Sequence, residues 1–468
     1  MALSRIWSAF IIVAVLVALI RVTATDHKNI FSAMVTGKNG DTIKLNKADT
    51  TILAAAQLHQ LDSTKSLAVG KKSIVRAADR QLQYYDIQRA DGIIETCKSA
   101  VTIAIGLIGI MALFMGFMSI AERAGGIRLL SKIIGPFFSK LFPELPKDHP
   151  AMGHMMLNFS ANLLGLDNAA TPFGIKAMQS LQEINPSKDK ASNAQIMFLC
   201  LHAAGLTLIP VSIIAVRASL KAPNPTDIFI PCMIATFVAT VAAMLIVSFK
   251  QKINVFQPVI LAWIGGISLI IALLVTYLTR LKADDVQNFS SLWSNAIILF
   301  IFFLIIVGAL YKKIDIFDAF IEGAKGGFEV AVKIIPYLVG MLVAISMLRT
   351  SGTFDYIIDG IKNLFAAIGT DTRFVDGIPT ALIKPLSGSG ARGMMIDTMK
   401  AHGTDSFAGR LSCILQGSSD TTFYIIAVYF GAVNIKDTRY SVGAMLLADF
   451  VGIVTSIILA YLFFGASL

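Results

Sequence analysis

The sequence is poor in charged residues and in cysteine, and both deficits narrow the class of protein. Asp, Glu, Lys and Arg make up 15% of the 468 residues, against about a quarter in a soluble globular protein. Hydrophobic residues make up 55%, which excludes a water-soluble enzyme and a disordered chain. The four cysteines are scattered and show neither a disulfide framework nor the CxxC spacing of a zinc site. The composition indicates an integral membrane protein without a metal centre.

The sequence also lacks the motifs of nucleotide hydrolysis and of common hydrolases. It contains no GxxxxGKS or GxxxxGKT loop, no HExxH and no GxSxG. We therefore predict that the chain is not an enzyme and carries no cofactor. Intramembrane hydrolysis and lipid-group transfer stay open on motifs alone, because Asp167, His202 and Asp420 could converge. The formal net charge of +10 does not predict nucleic acid as a partner, because basic loops are ordinary in membrane proteins.

Long apolar runs dominate the rest of the chain. Eight of them can each cross about 30 Å of hydrocarbon as a helix. The eight runs are residues 101–121, 195–216, 228–249, 255–279, 292–311, 328–348, 413–433 and 442–464. With a shorter run at 6–20, which we interpret as a retained helix, they predict an all-α polytopic membrane protein with about nine transmembrane helices.

Residues 24–96 form a polar segment that we predict to be an extracytoplasmic insert, with helical pieces at 51–61 and 73–88. Short basic loops set the orientation, because Lys250 and Lys312 flank a pair of predicted spans and belong on the cytoplasmic side. The basic residues of the insert do not oppose this, because loops longer than about 60 residues largely escape the rule.

The two halves of the chain share an internal repeat. GLTLIPVSIIAV (205–216) aligns with GSSDTTFYIIAV (417–428), so that a glycine precedes IIAV at the same distance in both. MSIAERAG (118–125) likewise aligns with ISMLRTSG (345–352). Each copy contains one span, an amphipathic segment, a Gly/Pro-broken element and two further spans. If each broken element is re-entrant, the copies run in opposite directions, which is an inverted repeat of the kind found in secondary transporters.

The first broken element, residues 152–178, places a polar set before Pro172. Helix, tight turn and helix is the natural interpretation, with Pro172 opening the second helix. Irregular backbone is tolerated at membrane depth only where protein or a wet cavity satisfies its amides. We therefore predict a re-entrant hairpin that lines a solute path, and a hairpin used only for packing is the alternative. Its candidate solute-binding residues are Asn158, Asn162, Asp167, Asn168 and Thr171.

The second broken element carries a glycine-rich turn, PLSGSGARGMMID, at 385–397. A turn of this kind that opens a helix exposes backbone N–H groups to an anion. Ser387, Ser389 and Arg392 add donors and one positive charge, so an anionic or strongly polar ligand is favoured. The alternative is that Arg392 only neutralises Asp397 or another acid.

Polar residues also interrupt the span that follows each hairpin. The seven residues 416–422 are all non-apolar, and such a run unwinds a helix. Unwound helices at mid-membrane supply the substrate and ion sites of many transporters. The candidate solute-binding residues of these two spans are Thr207, Gln416, Ser419, Asp420 and Thr421.

Three ionisable residues are candidates for proton or ion coupling. His202 lies in the first interrupted span, Asp420 in the second, and Asp449 lies midway along the last span. For His202 the alternative is a core histidine whose hydrogen bonds are satisfied.

Two long motif blocks resemble a known family. HPAMGHMMLNFSANLLGLDNAATPFGIKAMQSL (149–181) with LIPVSIIAVRASLKAPNPTDI (208–228) is similar to spore maturation protein A. SGSGARGMMIDTMKAHGTDSFAGRLSCILQGSSDTTFYIIAVYFGAVNIKDTRYSV (387–442) is similar to spore maturation protein B. The chain therefore resembles a fusion of the two, apart from the polar segment 24–96, for which the family offers no interpretation.

The resemblance implies a nucleoside-recognition or gate domain in each half, similar to parts of concentrative nucleoside transporters and of the ferrous iron transport protein B. It implies an interfacial helix, a re-entrant hairpin and a discontinuous helix per copy, a bacterial inner-membrane location and a role in spore core dehydration. It does not imply a substrate. The domains are then predicted as an N-terminal helix (1–23), the insert (24–96), a first gate repeat (97–250), a helix pair (251–322) and a second gate repeat (323–468).

Together these features predict a transporter that moves a small polar or anionic solute by alternating access, with ion coupling as an option. The alternatives are a non-transporting membrane scaffold for envelope or spore maturation, and a permeation path for divalent cations. The expected partners are the solute and the lipid bilayer, and a homo-oligomer is left open.

Overall fold

The apolar part of the chain is helical, as the sequence predicts. The computed structural model describes residues 2–24, 29–48, 66–69, 72–76, 82–88, 90–146, 149–164, 167–281 and 283–465. Its helices are α1 (Ala2–Ala24), α2 (Ile30–Thr36), α3 (Ile93–Arg123), α4 (Gly126–Leu141), α5 (Pro150–Leu163), α6 (Asp167–Glu183), α7 (Asn193–Ala203), α8 (Val211–Ser219), α9 (Phe229–Gln251), α10 (Pro258–Leu278), α11 (Ala283–Tyr311), α12 (Ile316–Thr350), α13 (Thr353–Ala367), α14 (Ile378–Ile383), α15 (Gly388–His402), α16 (Phe407–Gly417), α17 (Thr422–Ile425) and α18 (Ser441–Phe464). A π-helical turn, Ile426–Phe430, continues α17.

The polar insert contains a small β-sheet, which an all-α class does not include. Its strands are β1 (Thr42–Ala48), β2 (Ser66–Val69), β3 (Lys72–Arg76) and β4 (Leu82–Ile87), paired antiparallel in the order β1-β4-β3-β2. The helix predicted at 73–88 is therefore wrong, because β-branched and aromatic residues there favour a pleated strand. The helical piece predicted at 51–61 lies outside the described residues.

Seven described helices are long and apolar enough to cross a membrane, and the chain is a multi-pass membrane protein. They are α1, α3, α9, α10, α11, α12 and α18. The other two predicted spans, 195–216 and 413–433, are each divided into two shorter helices. In place of about nine continuous spans, the described part of the chain therefore has seven long helices and two interrupted ones.

Both interruptions have a local cause. In the first, α7 ends at Ala203, Gly205 takes a left-handed φ of +62° and Pro210 brings no N–H to the next helix. In the second, α16 ends at Gly417 and residues 418–421 lie outside any helix. We call residues 204–210 the first break and residues 418–421 the second break.

The two predicted hairpins are each a pair of helices. α5 and α6 pack together, and α14 and α15 pack around a turn at 384–387. α6 begins at Asp167, so the prediction that Pro172 opens this helix is wrong. Asp and Asn are favoured at helix starts, and Asp167 and Asn168 supply both before the proline is reached.

The chain divides into two compact units. The first contains residues 1–102 and 335–372, where the Trp7 indole donates to the Gly340 carbonyl at 2.9 Å and the Arg21 guanidinium donates to the Ser351 carbonyl at 2.8 Å. The second contains residues 103–334 and 373–468, and with them both hairpins and both interrupted helices.

Within the second unit, the last helices of the two repeats, α9 and α18, run antiparallel. The Gln251 amide at the end of α9 donates to the Tyr440 hydroxyl beside the start of α18 at 2.9 Å. Near the middle of the same pair, a Cβ built on Gly452 would lie 3.3 Å from the Ala239 Cβ. The two contacts therefore show that α9 and α18 run in opposite directions.

Candidate functional site

Each interrupted helix is hydrogen-bonded to the hairpin of its own repeat. The Leu208 amide of the first break donates to the Leu163 carbonyl, where α5 ends, at 2.9 Å. The Phe423 amide, just after the second break, donates to the carbonyl of Pro385 in the turn before α15 at 3.0 Å. Both hairpins therefore satisfy backbone groups that an unbroken helix would have paired internally.

The two breaks also meet each other. The Asp420 amide donates to the Ala203 carbonyl at 2.8 Å, which joins the end of α7 to the second break. Gly205 is required at this contact, because a Cβ there would lie 3.1 Å from the Asp420 nitrogen in a backbone conformation that favours glycine. Irregular backbone of the two repeats is thus brought together in the protein interior.

Local sequence explains how the elements around the breaks begin. Ser192 and Gln195 form a reciprocal capping box at the start of α7. The Ser387 hydroxyl accepts from the Gly390 amide at 3.0 Å and caps α15. Gly388, the first residue of that helix, permits close approach, because a Cβ there would lie 2.7 Å from the Thr421 hydroxyl oxygen.

A buried amide and imidazole cluster lies on the side of the first hairpin. The Nδ1 atom of His202 lies 3.0 Å from Asn158 Oδ1 and 2.7 Å from Asn162 Nδ2, and Asn158 Nδ2 donates to the Ala170 carbonyl at 2.7 Å. A protonated Nδ1 can donate to Asn158, whereas a bare Nδ1 can accept from Asn162. The position of the ring proton therefore decides which asparagine the ring binds.

Tyr429 of the second repeat completes this cluster. Its ring packs edge-on against the His202 ring with centroids 4.9 Å apart, and its hydroxyl hydrogen-bonds with Thr171 and Asn158. The first hairpin is thereby joined to the π-helical turn that follows the second break. Tyr429 was not predicted from the sequence, and its position in an apolar run gave no signal.

A charged cluster lies around the second break. The buried Lys384 ammonium donates to the Gln416 carbonyl at 2.7 Å, near the end of α16, where the helix dipole favours a cation. Lys384 also interacts electrostatically with Asp420 and Asp449. The Asp449 carboxylate accepts from the Thr422 hydroxyl at 2.6 Å and hydrogen-bonds with Ser419.

Lys384 was not among the residues predicted from the sequence, where Arg392 was the expected positive charge. A lysine at the edge of a hydrophobic stretch is commonly an interfacial anchor, so its burial gave no distinctive signal. Arg392 is half-buried inside α15. The structure thus adds a second basic side chain to the second hairpin.

The remaining predicted residues take varied positions. Ser389 is half-buried with its hydroxyl 3.2 Å from that of Ser387, and the half-buried Thr207 donates to the Gly205 carbonyl at 2.9 Å. Thr421 is buried in the second break beside Gly388. Asp167 and Asn168 begin α6, and the structure does not describe their side chains.

A buried ion network joins the two repeats at the start of α9. The fully buried Arg217 donates to Asp227 at 2.9 Å and to Asp405 at 2.8 Å, and Arg410 donates to the second Asp227 oxygen at 2.8 Å. Arg217 also donates to the carbonyls of Pro225, Asn224 and Thr404. We call Arg217, Asp227, Asp405 and Arg410 the ion seal.

The other end of α9 is closed differently. There the Asp189 carbonyl accepts from the amides of Lys436 and Asp437 at 2.9 and 3.0 Å, and the Ala191 amide donates to the Asp437 carbonyl at 2.9 Å. Arg439 donates to the Asn193 side chain at 2.9 Å, and the Lys190–Asp437 ion pair is exposed. We call residues 189–193 with 436–439 the backbone seal. It contains no buried charge among the described residues.

Comparisons with known proteins agree with this two-repeat architecture. A family model described as Gate: Nucleoside recognition matches residues 104–220 and 331–436. Spore maturation protein B of Bacillus subtilis (strain 168) is 49% identical over 168 residues, covering 35% of this chain and 93% of that protein. Spore maturation protein A of the same organism is 42% identical over 156 residues, covering 33% of this chain and 80% of that protein. No solved structure matches the chain.

The two relatives match separate parts of the chain, and a gate segment lies in each half. The paired hairpins and breaks described above fall largely within those segments. The chain therefore belongs to the spore maturation protein A and B family of gate-domain membrane proteins, and it joins counterparts of both proteins in one polypeptide.

Proposed function

We propose that this protein moves a small polar or anionic solute across the membrane by alternating access between its two repeats. The observation that carries the proposal is the bond from the Asp420 amide to the Ala203 carbonyl, because it brings both breaks together beside buried ionisable groups. Many transporters bind their solute with paired half-helix ends and unwound backbone. The solute would bind between the hairpins and the breaks.

The charged side chains around the second break favour binding of a polar solute over a purely structural role for these residues. Ionisable residues within a membrane are expensive and are concentrated at transport paths and proton relays. Lys384, Asp420 and Asp449 lie together around the second break. Asn162, Ser419 and the other predicted polar residues of the hairpins and breaks would supply hydrogen bonds to the solute.

Two features support alternating access. α9 and α18 correspond in the repeats and run antiparallel, as an inverted repeat requires. The ion seal and the backbone seal close opposite ends of α9, a helix about 34 Å long at 1.5 Å per residue. We infer that each seal opens in turn, and that the protein lies in the bacterial cytoplasmic membrane, with segment 24–96 outside.

Ion coupling would act through His202, Asp420 and Asp449. The ring nitrogen of His202 faces two asparagines that it can bind only alternately, so a proton there would change the contact between the first hairpin and α7. Asp449 lies against the residues that start α17. Protonation of His202 or of Asp449 would therefore alter a hydrogen bond beside a break.

Solute flux in proteoliposomes tests the proposal. The purified protein would be reconstituted and supplied with a panel of nucleosides, carboxylates and metal ions, with uptake measured by radiolabel. Transport of a panel member that is lost in Asp420→Asn and retained in Asp285→Asn, an exposed control, is the expected result. Equal slow leakage with the native protein, with Asp420→Asn and with empty vesicles would contradict transport.

The scaffold alternative predicts no water-accessible central cavity and an apolar lining around Asp167 and Asp420. Lys384 and Asp449 interact electrostatically with Asp420, which favours a polar lining there. The divalent-cation alternative needs converging ligands, and the described side chains include no cluster of three or more His, Cys, Asp or Glu residues.

A further inference from the structure

An apolar cavity of about 380 Å³ lies in the second unit, apart from the charged cluster. It is lined mainly by residues of α4, α9 and α10, and also by residues of the first hairpin, α7 and the first break. Representative lining residues are Ile133, Phe137, Leu208, Phe237, Val241 and Trp263. The volume lies in the range of about 300–1,000 Å³ that is usual for small-ligand sites.

The lining decides what can occupy the cavity. Its accessible surface is almost wholly apolar, with Asn162 and Thr240 as the polar residues among those that line it. A buried water needs two to four polar partners, so a cavity with this lining does not hold ordered water. Because α10 is largely exposed along its length within a membrane-spanning segment, hydrocarbon from the bilayer is the available filling.

The helix at the edge of the cavity carries a basic face. α4 is strongly amphipathic, and its apolar face contributes Ile133, Ile134 and Phe137 to the cavity. Arg128 and Lys132, one turn apart, are exposed on its other side. An amphipathic helix with basic residues opposite its apolar face lies in the membrane interface and attracts anionic lipid head groups.

We propose that this cavity binds one acyl chain of an anionic phospholipid whose head group is held by Arg128 and Lys132 on α4. The chain would pass between α4 and α10 and end against Asn162 and Leu208. Asn162 in turn contacts the His202 ring at 2.7 Å, so the bound chain would pack behind the amide and imidazole cluster. The proposal concerns lipid binding and stands whether or not the protein transports a solute.

Trp263 offers a direct reporter, because it lines the cavity and the chain has only three tryptophans. A protein with Trp7→Phe and Trp293→Phe keeps Trp263 alone. It would be reconstituted in phosphatidylcholine vesicles that contain rising fractions of phosphatidylglycerol brominated on its acyl chains. Quenching of Trp263 fluorescence that saturates at a low fraction, several-fold more steeply than with brominated phosphatidylcholine, is the expected result.

Three controls distinguish lipid binding in the cavity from contact with ordinary boundary lipid. A protein that keeps only Trp293, which is exposed on α11, should show quenching that rises in proportion to the brominated lipid with no head-group preference. Val241→Phe would fill the cavity and should abolish the saturable part for Trp263. Arg128→Gln with Lys132→Gln should remove the preference for phosphatidylglycerol and leave the apolar filling unchanged.

Proportional, head-group-independent quenching of Trp263 would overturn the proposal. So would saturable quenching that survives Val241→Phe in protein shown to be folded by circular dichroism. Neither result bears on solute flux, so failure here is distinguishable from failure of the proposed transport.

Discussion

The amide of Asp420 donates to the carbonyl of Ala203 at 2.8 Å, across 217 positions of the sequence. This bond connects the unwound segment of one repeat with the helix end of the other. A carbonyl at a helix C-terminus has no partner within its helix, and an amide in an unwound segment has none either. Each repeat thereby satisfies a backbone group that the other leaves unpaired.

Gly205→Ala tests how closely the two breaks must approach. The left-handed φ of +62° and the 3.1 Å approach to the Asp420 nitrogen should together destabilise the protein by about 1–2 kcal/mol or more. Thermal unfolding in detergent measures this. Gly266→Ala on α10 is the matched control, because a Cβ there meets no atom within 4 Å and alanine is the better helix former. Equal melting temperatures for the two variants would contradict the close contact.

Lys384→Met tests the charged cluster. Removing the buried ammonium leaves Asp420 and Asp449 without their cation, which should lower the free energy of unfolding by about 3–5 kcal/mol. Adding Asp420→Asn to Lys384→Met should restore part of that loss, because it removes one uncompensated charge. Exposed Lys250→Met should change stability by less than about 0.5 kcal/mol. Strict additivity of the first two substitutions would show that the residues do not interact.

Arg217→Met and Arg439→Met compare the two seals. Arg217 is fully buried and forms ion pairs with two carboxylates, so its loss should lower the free energy of unfolding by about 3–5 kcal/mol. Arg439 is exposed, and its loss should cost less than about 1 kcal/mol.

The accessibility of Cys413 to a water-soluble reagent provides a second test of the ion seal. Cys413 interacts with Arg217 and is buried, so in a protein that retains only this cysteine a water-soluble maleimide should react slowly. Labelling should rise several-fold in Arg217→Met and stay unchanged in Arg439→Met. Unchanged labelling in both would show that the ion seal does not exclude water from this end of α9.

His202→Gln tests proton coupling at the amide and imidazole cluster. A histidine ring gains a positive charge when it takes up a proton, so a flux coupled through His202 should vary with pH. Glutamine keeps hydrogen-bonding capacity but cannot titrate, and the variant should transport with a flat pH profile. His154→Gln is the control, because His154 belongs to the first hairpin and its Nδ1 atom lies 3.1 Å from the Ser180 hydroxyl of that hairpin. An unchanged pH profile in His202→Gln would exclude this residue from coupling.

Much of the fold could be predicted from the sequence because its causes are local. Apolar runs of sufficient length placed the long helices, and the polar composition of residues 416–422 marked the second interruption. The misplaced features also have local explanations. Pro172 suggested a helix start that Asp167 supplies earlier, and the strands at 72–76 and 82–87 followed residue preferences that a helical interpretation of a polar segment overlooked.

The sequence by itself determined that this is a membrane protein with a duplicated, interrupted module, because hydrophobicity, glycine and proline act on their immediate neighbours. Only the tertiary structure decided which polar groups meet. Lys384 reaches Asp420 and Asp449, Arg217 reaches Asp405, and Tyr429 reaches His202 across long stretches of sequence. A buried polar group without a hydrogen-bond or charge partner is energetically costly, so each of these groups needs one. The packing of helices distant in the sequence decides which partner lies within reach.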